Sequence, residues 1–210
     1  MTEAEWLAYA DPQLVLERLR SKLSDRKLRL FAVACCRRIW SLLSHEVERH
    51  GVEVAERFAD GQATSAELAE AYETLDSSGD WRYRPPHQAT AEHHGLDELA
   101  RCTARAAAWL AGEKAARDGS DRPAGDTAER RSQVMLFRHF TGDCIPQPAP
   151  THWPSTVAAL AQALYDGDAN HLILADALEE GGQLALADHF RADEWHPKGC
   201  WALDLILGKT

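Results

Sequence analysis

The chain has 210 residues, is 45% hydrophobic and 27% charged, and carries a net charge of −10 at pH 7. This length suits one large domain or two small ones with a buried core. The acidic total argues against nucleic-acid binding by the whole surface, and the lack of an apolar run of about 18 residues argues against a membrane span.

Helix-start signals dominate the first 60 residues. A capping box at Thr2–Glu5 predicts a short first helix, and Asp11-Pro12 predicts the start of a second. Ser24 caps a predicted third helix, which we expect to be central to the core. Gly51 is expected to interrupt this helix, which then continues to Gly61. The apolar face of the third helix is formed by Leu28, Phe31, Cys35, Ile39, Leu42 and Leu43.

The middle of the chain alternates between loop and helix signals. Residues 76–86 are predicted to form a loop, in which Pro85-Pro86 acts as a helix breaker. The alanine-rich stretch 88–117 is predicted as one long helix. Residues 118–126 read as a mobile loop, and a further helix is predicted over residues 127–140.

The proline-rich stretch 142–154 is the best linker candidate. It separates an N-terminal helical domain, residues 1–141, from an acidic C-terminal helical subdomain, residues 155–210, which can also pack on the first domain as one unit. In that subdomain, one short helix is predicted to bury Leu172 and Ile173. Because no segment alternates like a strand, the sequence predicts an all-α fold, either a multi-helix bundle or an orthogonal helical array, with roughly nine or ten helices.

The cysteines favour a reducing compartment. Their number is odd and their spacing irregular, which is typical of reduced thiols in a cytoplasmic protein. The acidic N-terminus also lacks the pattern of a secretory signal. Cys35 and Cys36 are adjacent and do not face each other on a helix, so we interpret them as core residues rather than a redox pair. The five are Cys35, Cys36, Cys102, Cys144 and Cys200.

The C-terminal part holds a candidate zinc site formed by Cys144, His189, His196 and Cys200. Thiolate and imidazole are zinc ligands, and four such groups close a tetrahedral site. No Cys-x-x-Cys pair supports this set. The alternative is that His189 and His196 lie on the surface and Cys200 is buried beside Trp201.

Other catalytic signals are absent from the sequence, so no catalytic residue and no organic cofactor is assigned. His45-Glu46 and His50 lack the histidine spacing of a zinc protease, and no glycine-rich phosphate loop occurs. Asp176, Glu179 and Glu180 are expected to form a solvated helix face. A binding protein is therefore favoured over an enzyme.

Two segments carry candidate partner-binding residues. Trp81, Arg82, Tyr83 and Arg84 have the composition of an interface hot spot, although such a loop can equally be held on the core by its aromatic rings. The basic segment 18–38 includes Arg37 and Arg38, which are further candidates. This segment makes nucleic-acid binding a second alternative, after zinc binding, although no aromatic residues interleave its charges. The leading hypothesis is a non-enzymatic protein–protein interaction or adaptor module.

Several segments are similar to one known family. The strings Cys35-Cys36-Arg37-Arg38-Ile39-Trp40 and Gly199–Lys209, with the opening Met1–Trp6 and the stretch Val54–Gly61, resemble an uncharacterised family of paralogous proteins abundant in planctomycete bacteria. The resemblance covers both ends of the chain but not residues 76–130. It implies a small helical protein and carries no activity or functional residue over to this chain.

Overall fold

The computed structural model describes residues 11–19, 22–77, 84–91, 95–141, 150 and 152–209. Within these ranges every regular element is a helix, which confirms the predicted all-α fold. No helix in the described ranges is both long and apolar enough to cross a membrane. A 3-10 turn spans Trp40–Leu42. The α-helices are α1 (Pro12–Leu19), α2 (Asp25–Arg38), α3 (Glu46–Ala59), α4 (Ser65–Ser77), α5 (Arg84–Thr90), α6 (Leu96–Arg117), α7 (Arg122–Thr141), α8 (Ser155–Asp166), α9 (His171–Glu180), α10 (Leu184–Ala192) and α11 (Trp201–Leu207).

The chain divides into two compact units, Met1–Arg138 and His139–Thr210. The boundary falls inside α7, close to the start of the predicted linker at residues 142–154. Residues 142–149 and 151 lie outside the described ranges, and so does the capping box at Thr2–Glu5. The linker and the short first helix therefore stay predictions.

Helix α2 is the centre of the first unit, as its apolar face predicts. It contacts α3, α5 and α6, and every residue from Leu28 to Cys36 is buried. Phe31 stacks on Phe137 with ring centroids 4.2 Å apart. The Ser24 side chain accepts a hydrogen bond from the Lys27 backbone N–H, which caps the helix at its predicted start.

The predicted interruption at Gly51 is wrong. The chain instead leaves the α-helix at Ile39, and α3 begins after the N-cap residue His45, whose backbone N–H donates to the Glu48 carboxylate at 2.9 Å. Gly51 lies inside α3, where a Cβ atom would stand only 2.6 Å from Leu75 Cδ1. This glycine permits close packing of α3 against α4 rather than ending a helix.

Three further boundaries differ from the predictions. Pro85-Pro86 lies in the first turn of α5, where the missing proline N–H groups cost no helical hydrogen bond. The predicted helix over 88–117 is two helices, because α5 ends at Thr90. The loop predicted over 118–126 is shorter, since α7 already begins at Arg122.

Two glycines let α6 and α7 approach closely. A Cβ atom on Gly112 would lie 2.9 Å from the backbone oxygen of Arg122, and one on Gly125 would lie 2.5 Å from the Ala115 Cβ and 3.2 Å from the Ala111 oxygen. These neighbours are backbone or backbone-fixed atoms. A side chain at either glycine would therefore push the two helices apart.

We expect Gly125→Ala to lower the free energy of unfolding by about 1–2 kcal/mol, because overpacking of about 1–3 kcal/mol outweighs the gain of about 1 kcal/mol in helix propensity. Urea unfolding followed by tryptophan fluorescence measures the change. Gly181→Ala is the matched control, since its Cβ would meet its nearest atoms at an ordinary 3.5 Å. Equal stabilities for the two variants would contradict the close packing.

The second unit is built from α8 to α11 around one apolar core. Helices α9 and α10 pack as a hairpin, which turns at Gly182 with a φ of +75°. The prediction that Leu172 and Ile173 are buried is wrong, since these side chains are 45% and 54% exposed. The core is formed by Val157, Ala161, Tyr165, Leu174, Ala175, Leu178, Leu186, Ala187, Phe190, Cys200, Ala202, Leu203 and Ile206.

Candidate metal centre

Four potential metal ligands, His139, His189, His196 and Cys200, gather in the second unit. Each offers one ligand atom, and these atoms all lie within 4.8 Å of one another. Cys200, His139 and His196 are buried, and His189 is half-buried. Imidazole and thiolate are both zinc ligands, so this group could hold a zinc ion.

Local structure explains why these side chains meet. His139 lies near the end of α7, and His189 lies in the last turn of α10. His196 follows in a turn that Gly199 closes with a φ of +86°, a conformation that favours glycine. The Cys200 backbone N–H donates to the Pro197 oxygen at 2.9 Å, which places Cys200 as the N-cap residue of α11.

The spacing of the four groups approaches that of tetrahedral zinc. The Cys200 Sγ lies 3.1 Å from His189 Nε2 and 4.0 Å from His196 Nδ1. The three ring centroids lie 5.1 to 5.5 Å apart. Ligand atoms around zinc, with bonds of about 2.0 Å to nitrogen and 2.3 Å to sulfur, stand roughly 3.3–3.6 Å apart. The two sulfur–nitrogen distances, 3.1 and 4.0 Å, lie on either side of that spacing.

The hydrogen bonds of His196 present it in the form that binds metal. Its Nε2 lies 3.0 Å from the backbone oxygen of Asp193 and 3.4 Å from that of Phe190. A carbonyl oxygen only accepts, so Nε2 carries the proton and Nδ1 keeps its lone pair toward Cys200. Burial lowers the pKa of His196 below its usual value, although the two carbonyls oppose that shift. The neutral ring is thus favoured.

A metal held by all four groups has no coordination position left for water or substrate. Structural zinc sites are closed in this way, whereas catalytic zinc keeps one position open. Three of the four ligands are buried, which also limits the approach of a substrate. The arrangement is suited to holding a fold together rather than to hydrolysis.

The structure brings together three of the four predicted ligands. His189, His196 and Cys200 meet, while Cys144 lies outside the described residues. His139 was missed because no motif marks it, and Cys144 was taken as the ligand from this part of the chain. The alternative of surface histidines fails for His196, which is 7% exposed.

The structure describes only some of the predicted partner-binding residues. Trp81, Arg82 and Tyr83 lie outside the described ranges, and Arg84 begins α5. Arg37 and Arg38 pair with carboxylates of the same chain. The hot-spot hypothesis for the aromatic loop therefore stays a prediction.

The two arginines of the basic segment support the first unit. Arg37 pairs with Glu56 at 3.0 Å and stacks over the Trp40 ring at 4.3 Å. Arg38 makes a bidentate contact with Glu129, at 3.0 and 3.1 Å. Such paired guanidinium groups are less available to an external phosphate or carboxylate.

The adjacent thiols lie in the core, as the helical spacing predicts. Cys35 and Cys36 are fully buried, and this burial raises both thiol pKa values well above normal. Cys102 is half-buried, and its pKa is raised as well, mainly by burial and secondly by the Glu98 carboxylate. None of the four described cysteines forms a disulfide. Thiolate is the reactive form, so the adjacent pair is protected in the folded protein.

In the native Cys144→Ser variant, which removes the thiol outside the described ranges, we expect alkylation of one cysteine. That residue is Cys102, which reacts slowly because its pKa is raised, whereas the buried Cys35, Cys36 and Cys200 react only on unfolding. Iodoacetamide labelling with peptide mass spectrometry measures this order. Rapid native labelling of Cys35 would contradict the core assignment.

Comparison of the chain with protein-family models, curated proteins and solved structures finds no match. The resemblance to a planctomycete family thus stays a prediction. The metal centre is argued from the geometry of the chain itself.

Proposed function

We propose that this chain is a zinc-binding helical protein in which His139, His189, His196 and Cys200 hold one structural Zn²⁺. The observation that carries the proposal is the meeting of four ligand atoms within 4.8 Å at a largely buried position. Three imidazoles and a thiolate favour zinc over calcium or magnesium, which prefer oxygen ligands.

The size of the second unit supports a stabilising role for the metal. A core in a unit of roughly 70 residues rarely supplies more than about 3–5 kcal/mol, and small domains often add a metal or disulfides. The described cysteines form no disulfide. Within this unit, zinc would tie His139 and the segment that carries His196 to α10 and α11.

A protein–protein interaction role is our second proposal, with zinc maintaining the binding surface. Leu172, Ile173 and Leu184 expose between 45% and 59% of their surface on α9 and α10. Large exposed apolar side chains are typical of contact surfaces when they cluster. Nucleic-acid binding by residues 18–38 has less support because Arg37 and Arg38 are paired within the chain. A thiolate ligand fits the predicted cytoplasmic location.

Metal analysis of purified protein without a histidine tag tests the zinc proposal. We expect one zinc per chain by elemental mass spectrometry, and its loss in the variants His139→Ala and Cys200→Ser. The matched controls His152→Ala and Cys102→Ser change residues outside the site and should keep one zinc. A wild-type chain that neither contains nor takes up zinc would refute the proposal.

A third substitution decides between the predicted and the observed ligand sets. Cys144→Ser should keep its zinc if His139 is the fourth ligand, and should lose it if Cys144 is. Substitution of Co²⁺ gives a second readout. Four-coordinate cobalt produces intense visible bands and a thiolate charge-transfer band, and the latter should vanish in Cys200→Ser.

A further inference from the structure

We infer that Asp193 is the positioning residue of the metal centre, orienting His139 and His196 so that both bind through Nδ1 while His189 binds through Nε2. This inference rests on the proposed zinc site and names the residue that prepares it. Asp193 follows α10 directly, in an extended conformation that points its backbone and side chain toward different ligands.

The backbone oxygen of Asp193 fixes one ligand. It lies 3.0 Å from Nε2 of His196, which must donate because a carbonyl has no proton to give. The Nδ1 atom of the same ring lies 4.0 Å from the Cys200 Sγ. His196 therefore offers Nδ1 to the metal, and its ring is held in that orientation before the metal arrives.

The carboxylate of Asp193 faces a second ligand. Its Oδ2 atom lies 3.5 Å from Nε2 of His139. The other ring nitrogen of His139, Nδ1, is buried. A histidine ligand that donates its outer N–H to a carboxylate is a recurrent arrangement at zinc sites, where it fixes the tautomer and raises the basicity of the ligating nitrogen.

His189 differs from the other two histidines. Its Nε2 atom lies 3.1 Å from the Cys200 Sγ, close to the separation expected of two ligands on one zinc. Its ring packs against Trp201, with centroids 5.1 Å apart. The centre thus combines two Nδ1 ligands, one Nε2 ligand and one thiolate.

Charge balance gives the Asp193 carboxylate a second effect. Zn²⁺ with one thiolate and three neutral imidazoles keeps one positive charge at a buried position, and uncompensated buried charge is unfavourable. The Asp193 side chain is 45% exposed, so it remains solvated while it neutralises this charge. Bound Zn²⁺ would in turn polarise the His139 ring and strengthen its Nε2–H as a donor to Asp193.

Zinc affinity of Asp193 variants, measured by chelator competition with Zn²⁺ alone, tests the inference. We expect Asp193→Ala to weaken binding about 10- to 100-fold, as removal of an outer carboxylate does at other zinc sites. Asp193→Asn should weaken it less, because the amide oxygen still accepts a hydrogen bond. The neighbouring exposed carboxylate variant Glu194→Ala is the matched control and should bind as the wild type does.

Nuclear magnetic resonance of the ¹⁵N-labelled wild-type protein with zinc shows which nitrogen of each histidine ring carries the proton. A purely structural role of Asp193 would not determine this. We expect the His139 and His196 rings to be protonated at Nε2, and the His189 ring at Nδ1. Wild-type affinity in Asp193→Ala, or Nε2 ligation by His139, overturns the inference while leaving the zinc site intact. A wild-type chain that binds no zinc overturns the proposed function and this inference together.

Discussion

Removal of zinc should destabilise the C-terminal unit by at least about 4 kcal/mol, the linkage expected when free metal exceeds its dissociation constant 1,000-fold. Structural zinc in small domains contributes apparent binding energies of about 10–16 kcal/mol, and the loss of that energy is enough to unfold a small unit completely. Hydrogen exchange with mass spectrometry measures the effect. After chelation, peptides within residues 155–209 should exchange faster, whereas residues 28–36 of α2 should remain protected.

Re-addition of metal is the control for this experiment. Zn²⁺ should restore protection of residues 155–209, and Mg²⁺ should not, since imidazole and thiolate ligands do not suit a hard cation. Cys200→Ser should exchange like the chelated wild type with or without zinc. Unchanged exchange after complete removal of zinc would show that the apolar core of α8 to α11 is sufficient alone, and would reject a stabilising metal.

The sequence was informative where local chemistry decides structure. The cap at Ser24, the apolar face from Leu28 to Ile39 and the absence of alternating segments together predict helices. Such signals act within one turn of the chain, so they need no knowledge of neighbouring elements. The confirmed all-α fold follows from them.

The wrong predictions arose where tertiary packing overrides local preference. Gly51 resembles a helix breaker in sequence, but it lies inside α3, where the Leu75 side chain of another helix packs against it. Leu172 and Ile173 were predicted to be buried, yet α9 turns Leu174 and Ala175 inward instead. A short helix with apolar residues on several sides does not specify which face is covered.

The sequence likewise predicts only part of the candidate site. His196 and Cys200 are four residues apart in one turn, and their pairing is visible as a local cluster in the sequence. His139 joins them only in the folded second unit, and no motif around it marks it as a ligand. The contribution of Asp193 depends on the conformation of its backbone and side chain, which the sequence does not show.

Arg29→Ala should lower the free energy of unfolding of the first unit by about 3–5 kcal/mol, as the loss of buried charge-assisted hydrogen bonds does. Arg29 is 4% exposed on the central helix α2. Its guanidinium donates to the backbone oxygens of Ala89 at 2.6 Å and Ala91 at 3.2 Å, and it lies 5.1 Å from the Phe58 ring centroid. Both oxygens lie at the end of α5, where carbonyls have no partner within the helix.

Two further variants separate the hydrogen bonds of Arg29 from the effect of its charge. Arg29→Lys keeps the charge but lacks the planar fork that reaches two oxygens, so it should recover less than half of the lost stability. Arg57→Ala removes an arginine from an exposed pair with Glu67 and should change stability only little. Urea unfolding measures the stability of all three variants, and hydrogen exchange of α2 and α5 locates the change. If Arg29→Ala lowered the free energy of unfolding as little as Arg57→Ala does, apolar contacts alone would hold the end of α5. The hydrogen bonds of Arg29 would then contribute nothing to stability.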